Sequence, residues 1–150
     1  MNLDKLREEL AEDEGCKYEI YLDHLGLPTF GIGHLITKDD PEYGKDVGTV
    51  IEQGRVQSAF NLDITVTIED CHRLYKDFND LPEEVQLIIA NMMFNLGYPR
   101  LSKFKGMKAG VDAKSWSSAA DEMVDSRWYT QVPNRARRLV DRMRQVGRDG

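Results

Sequence analysis

Glu14, Asp23 and Thr29 place a carboxylic acid, a second carboxylate and a hydroxyl at intervals of nine and then six residues. Hydrolysis of a glycosidic bond requires such a set. One acid protonates the leaving oxygen, while the other activates a water or supports the oxocarbenium-like transition state. Directly after them the chain runs Gly31-Ile32-Gly33-His34, and residues without a Cβ let backbone approach a ligand closely. Among 26 acidic residues an isolated pair nine apart is common and reads as solvated surface. The chemistry therefore depends on the elements that must bring these groups together.

Leu3, Leu6, Leu10 and Ala11 recur at helical spacing and predict an amphipathic helix over 3–13 that ends at Gly15. Glu14 then lies at or just beyond its C-terminal end. Two aromatic and branched runs, 17–22 and 27–32, flank His24-Leu25-Gly26 and predict a small hairpin. Asp23 falls at its turn and Thr29 on its return strand. Residues 38–49, rich in Asp, Gly and Pro, read as an irregular surface loop.

Apolar residues from Val56 to Tyr75 keep helical spacing and predict a helix over about 52–75, long enough to join two lobes. The β-branched run Ile64-Thr65-Val66-Thr67-Ile68 opposes it locally. Pro82 and Gly97 bracket the most apolar stretch, which predicts a helix at the centre of the larger core. Further helices are predicted at 101–109, 115–125 and 134–146. The organisation expected is a smaller lobe at about 12–55, the connecting helix, and a larger lobe at about 76–150 that also takes helix 3–13. The fold class is α+β, mostly α-helical, with a small hairpin sheet.

The 150 residues, 41% hydrophobic and 31% charged, suit one globular domain or two small lobes. No apolar run approaches the roughly 18 residues of a membrane span, so stable membrane insertion is not expected. The charged first helix lacks the apolar core of a secretory signal, which gives a cytoplasmic protein as the expectation. Cys16 and Cys71 sit in no ligand or CxxC spacing and read as free thiols. Three histidines give a zinc site little support, and glycosidic hydrolysis by two carboxylates needs neither a metal nor an organic cofactor.

Residues 1–99 carry 8 Lys/Arg and 20 Asp/Glu, a net of −12, whereas residues 100–150 carry 12 and 6, a net of +6. Arg135, Arg137, Arg138, Arg142, Arg144 and Arg148 interleave with Leu139, Val140, Met143 and Val146. That pattern is an amphipathic helix with a solvated basic face, rather than a nucleic-acid-binding element.

Taken in order, Glu14-Gly15, the hairpin bearing Asp23, Thr29 and the Gly31-Ile32-Gly33-His34 stretch resemble the active-site segment of the phage T4-type lysozymes. Residues 89–97 resemble that family's central helix, and residues 126–136 its C-terminal signature. The resemblance covers residues 3 to about 142. It implies a lysozyme-like fold and a muramidase that cleaves, with inversion, the β-1,4 bond between N-acetylmuramic acid and N-acetylglucosamine of bacterial peptidoglycan. Glu14 would be the general acid, Asp23 the second carboxylate and Thr29 the group that positions water. Arg135 matches an arginine that approaches the catalytic glutamate. His34 matches a histidine paired with an aspartate on the long helix, here Asp63, and reads as a structural ion pair.

Trp128 has a core role on this reading, and Gly33, Leu35, Phe94 and Asn95 are the expected cleft residues. The resemblance further implies a monomeric endolysin that stays in the host cytoplasm until lysis, although the acidic balance departs from the family's usual basic character. The competing class is a catalytically silent wall-binding module on the same scaffold. Intact Glu14, Asp23 and Thr29 argue against it. Nucleic-acid binding, resting only on the basic C-terminal helix, ranks third.

Overall fold

Helix α1 spans Leu3–Glu14 in the computed structural model, which describes residues 1–149. Leu6 and Leu10 share one face of it and are fully buried. Asp4 lies in the first turn, where the helix dipole favours negative charge. Gly15 stops the helix. It takes up φ +72° and its amide donates to the Ala11 carbonyl at 2.9 Å, a left-handed end that glycine adopts without steric cost. Glu14 is thereby the last helical residue.

Strands β1 (Lys17–Leu22), β2 (Pro28–Gly31) and β3 (His34–Leu35) follow as one antiparallel sheet in the order β1-β2-β3. The β1–β2 pair is the predicted hairpin, with Asp23 at its turn. The third strand extends that prediction. The chain turns back through Ile32 and Gly33, with Gly31 and Gly33 both at φ +63°, where a side chain would be strained. Thr29 on the central strand pairs with Tyr21 of β1 on one side and Leu35 of β3 on the other.

Residues 48–51 line the far edge of β1. Ile20 donates to the Thr49 carbonyl and Ile51 to the Tyr18 carbonyl, each at 2.9 Å. The predicted surface loop thus ends as a partner of the sheet, which covers backbone groups that an edge strand would leave open.

Helix α2 spans Gln53–Leu74. Val56, Ala59, Phe60, Ile64 and Cys71 are buried along it, and this apolar stripe overrides the β-branched run. Thr65 accommodates the helix by donating its hydroxyl to the Asn61 carbonyl at 3.0 Å. Arg7 ties α1 to α2, donating to Asn61 Oδ1 at 2.7 Å and lying over the Phe60 ring at 5.7 Å.

The chain forms two compact units, Leu3–Thr67 and a second made of Met1–Asn2 with the chain from Ile68 onward, and the division falls inside α2. The second unit is helical. Its α3 (Glu83–Leu96) is buried on nearly every side, including Val85, Leu87, Ile88, Ile89, Ala90, Met92 and Met93. After it come α4 (Tyr98–Leu101), α5 (Lys105–Asp112), α6 (Trp116–Val124), α7 (Arg127–Gln131) and α8 (Pro133–Asp149). Helix α5 packs on α6, and α8 packs on both α3 and α6.

The helix predicted at 101–109 is broken. The Ser102 hydroxyl donates to the Pro99 carbonyl at 3.0 Å, and the chain turns before α5 restarts at Lys105. A serine that satisfies local backbone in this way competes with helix propagation.

Candidate active site

Three neighbouring pieces of the first unit assemble the site: the end of α1, the β1–β2 turn and the turn before β3. Glu14 is partly buried at the end of α1. A Cβ added at Gly33 would lie 2.7 Å from Glu14 Oε1 and 2.8 Å from its Cδ. The Gly33 backbone is therefore packed directly on the carboxylate. Only glycine provides both this approach and the left-handed backbone.

Asp23 organises its own turn. Its Oδ1 accepts the amides of Leu25 and Leu27, each at 2.9 Å. The Leu27 carbonyl in turn accepts the Asp23 amide and the Thr29 hydroxyl, both at 2.9 Å. Asp23 and Thr29 are thus held through one residue, and Thr29 is buried.

Tyr21 joins them. Burial raises its phenol above the ordinary value, and the negative charges of Glu14 and Asp23 add to the rise. Both carboxylates act on this one ring, whose backbone pairs with that of Thr29. Lys17 Nζ lies 4.4 Å from the same ring. Tyr21 escaped the sequence reading; its one signal is its place near the end of β1, two residues before the Asp23 turn.

Beside Gly33, His34 is held between two aspartates. Its Nδ1 is 2.7 Å from Asp63 Oδ2 and its Nε2 is 3.0 Å from Asp40 Oδ2. Burial pushes the imidazole down, but the hydrogen bonds and charges of Asp63 and Asp40 outweigh it, and His34 is raised overall. Asp40 also accepts the Thr37 amide at 2.8 Å and an Arg55 hydrogen at 3.1 Å. Burial works against its charge, yet these partners and His34 hold it below the usual carboxylate range. Arg55 forks onto Glu42 at 2.8 and 2.9 Å, which holds the Glu42 carboxyl low as well. Asp40, Glu42 and Arg55 gave no signal in the sequence, where residues 38–49 read as surface loop.

Leu35 lies exposed on β3, opposite Thr29. In the second unit, Asn95 accepts the Trp128 indole hydrogen at 2.8 Å, and Trp128 is buried. The Asn95 side chain thereby holds a core residue. Phe94 beside it is partly buried. Arg135 is buried and donates through Nε to Asn91 Oδ1 at 2.7 Å.

Among the described residues, no group of three or more His, Cys, Asp or Glu is arranged to hold a metal ion. No helix among them is long and apolar enough to cross a membrane. Within the first unit, the geometry offers two carboxylates and a hydroxyl around one tyrosine, with glycine backbone against the Glu14 carboxylate.

A family model described as phage lysozyme matches residues 11–145, from just before Glu14 to the last turns of α8. The chain belongs to the phage lysozyme family. It is accordingly a glycoside hydrolase. Among curated proteins it is 34% identical to a probable T4-type lysozyme 2 of Dictyostelium discoideum, over 90% of this chain and 91% of that protein. It is 28% identical to the pre-baseplate central spike protein Gp5 of Enterobacteria phage T4, over 90% of this chain and 27% of that larger protein. It is also 26% identical to a peptidoglycan hydrolase, gp36, of Pseudomonas phage phiKMV, over 91% of this chain and 15% of that protein. In this family context the α+β fold, with its small antiparallel sheet followed by helices, is that of a T4-type lysozyme.

Proposed function

We propose that this lysozyme hydrolyses the β-1,4 bond between N-acetylmuramic acid and N-acetylglucosamine in bacterial peptidoglycan, with inversion. The observation that carries the reading is the packing of Gly33 backbone on the Glu14 carboxylate, whose charge acts with that of Asp23 on the Tyr21 ring. Glu14 donates its proton to the glycosidic oxygen as the bond to the sugar breaks. Asp23 is aimed by the two amides on its Oδ1, and its charge supports the developing oxocarbenium ion or activates the attacking water. Thr29, anchored by its bond to the Leu27 carbonyl, offers its hydroxyl oxygen to that water. The water then adds to the sugar carbon from the face opposite the leaving group and gives its proton to the Asp23 carboxylate or to solvent. Gly33 and Leu35 contact the sugar from the sheet.

Peptidoglycan as substrate is supported by the family and by the peptidoglycan hydrolase named among its relatives. We read the protein as a monomer that lyses a bacterial host and has no nucleic-acid partner. Two α8 arginines already have acidic partners, Arg142 with Glu84 and Arg144 with Asp121.

Mass analysis of fragments released from purified peptidoglycan tests the bond. Reducing N-acetylmuramic acid ends support the reading. Reducing N-acetylglucosamine ends, or anhydro-muramic ends, would replace it with a different bond or a lytic transglycosylation. Proton NMR of fresh product distinguishes inversion, which yields the α anomer first, from retention.

A further inference from the structure

The ion network behind Gly33 involves residues from two elements that the hydrolytic reading does not use. Both ring nitrogens of His34 face carboxylate oxygens, Asp63 from α2 and Asp40 from the segment after β3. A carboxylate only accepts, so both contacts are hydrogen bonds only when both nitrogens carry hydrogen. A neutral ring must surrender one of them and turn a lone pair toward an anion. Only the imidazolium satisfies both contacts as hydrogen bonds.

The network is anchored on its outer side. Arg55 from α2 reaches Asp40 Oδ1 at 3.1 Å, forks onto Glu42, and lies over the Phe30 ring at 5.3 Å. The Phe30 ring lies tilted against the His34 ring, with centroids 4.8 Å apart. The charged groups around His34 are thus Asp63 and Arg55 from α2, Asp40 and Glu42 from the following segment, and Glu14 of α1 against the preceding residue. On the inner side the clamp is coupled to the site by one peptide bond. His34 follows Gly33, whose backbone rests on Glu14, and a Cβ at Gly31 would already lie 2.9 Å from Val56 of α2. The turn is thus held at Gly31 against Val56 and at His34 by its aspartates, with Gly33 between them.

We propose that Asp40 and Arg55 complete, with His34 and Asp63, a charge clamp that positions the Gly33 turn against the Glu14 carboxylate, and that the clamp is closed only while His34 is doubly protonated. Asp40 is on this account a positioning residue for hydrolysis. The inference rests on the reading of Glu14 as the acid. Its consequence is that deprotonation of His34 loosens the acid's support, so the alkaline side of the activity profile carries a component that follows His34, beyond any fall set by the proton donor itself.

The test uses the whole chain, with kcat on a peptidoglycan suspension normalised to each variant's own maximum between pH 5 and 9. The His34 ring is titrated in parallel by NMR. Asp40→Asn removes an anion from His34 and lowers its midpoint. The His34-dependent component of the alkaline limb then moves to lower pH by the same amount, and each unit of its movement costs about tenfold in rate on that part of the limb. Arg55→Gln removes a cation from Asp40 and Glu42, so the His34 midpoint and the limb move to higher pH instead.

Both substitutions delete a bond from the same network, and a merely structural prop would respond to both in the same direction. Opposite displacements that track the His34 titration support the clamp. Limbs that stay fixed, or that move together, overturn it. If Asp40→Asn does not fold, the upward displacement in Arg55→Gln decides alone. Glu14→Gln run alongside separates the two failures. Persistent clearing by that variant sinks the acid assignment, whereas its inactivity with unmoved limbs sinks only the clamp.

Discussion

Substituting Gly33→Ala separates two costs that the structure places at one residue. The first is conformational. Gly33 sits at φ +63°, and a residue with a side chain held there loses about 1–2 kcal/mol. For a chain of this size that amounts to roughly 2–8 °C in Tm. The second is local to the chemistry. The new methyl would lie 2.7 Å from Glu14 Oε1 and 2.8 Å from Cδ, well inside ordinary contact. The carboxylate is the far end of a flexible side chain and can swing away, so relief of the clash costs little stability. It does move the acid by about an ångström, a displacement that can cost about 100-fold in rate.

Gly44→Ala is the matched control, because Gly44 has φ +84° and nothing within 4 Å of an added Cβ. Thermal melts by circular dichroism and kcat on a peptidoglycan suspension read the two costs. Both variants should melt lower by similar amounts, and only Gly33→Ala should lose about two orders of magnitude in kcat. Gly33→Ala activity within twofold of wild type, or an equal loss in Gly44→Ala, would refute the reasoning.

The other expectations follow from the same geometry. His34 is raised above its ordinary 6.5, so its stabilisation is complete below pH 6.5 and is lost as pH rises through the folded value; Asp40 and Glu42 are lowered from 3.8 and 4.5, so theirs is complete above about 4.5 and is lost as pH falls through their folded values. The Tm should peak between those limits, and a flat Tm from pH 4.5 to 8 contradicts the network. Asp23→Asn keeps an oxygen for the Leu25 and Leu27 amides, so it should fold normally and lose about 100-fold or more in kcat. Asp23→Ala should also lose about 2 kcal/mol in a denaturant titration, and equal stability of the two variants speaks against the turn's bonding. Cys16 is exposed, while burial pushes the buried Cys71 thiol up to about 12. A thiol reagent should label one cysteine in the native protein and two in denaturant, and rapid native labelling of both contradicts that burial.

The elements with strong local signals were readable before the structure. Periodicity marks α1, α2 and α3, and glycine marks the ends of α1 and α3 at Gly15 and Gly97. The Asp23 turn follows from two β-rich runs around a short polar stretch. What escaped has no local signature. β3 is two residues long, too short for an alternating pattern. The break before α5 falls where the Ser102 hydroxyl and the amides of Lys103 and Phe104 bond nearby carbonyls in a tight turn.

The His34–Asp63 pair, 29 positions apart, was readable through the family resemblance, whereas the His34–Asp40 and Arg55–Glu42 contacts, 6 and 13 apart, are revealed only by folding. Acidic residues in a stretch rich in Asp, Gly and Pro look solvated, yet Glu42 is buried by its pairing with Arg55. Glu14, Asp23 and Thr29 were legible as a set because the types and order of the segment resemble a known active site. Their mutual support through Leu27, Tyr21 and Gly33 was not.

The central claim, that Glu14 is the proton donor for cleavage of peptidoglycan, is tested most directly by the clearing rate of a purified peptidoglycan suspension with wild type and Glu14→Gln. Glutamine keeps the size and loses the proton. The account predicts clearing by wild type and a loss of about 100- to 10,000-fold in the variant, with the fold unchanged by circular dichroism. Comparable clearing by both proteins would contradict it.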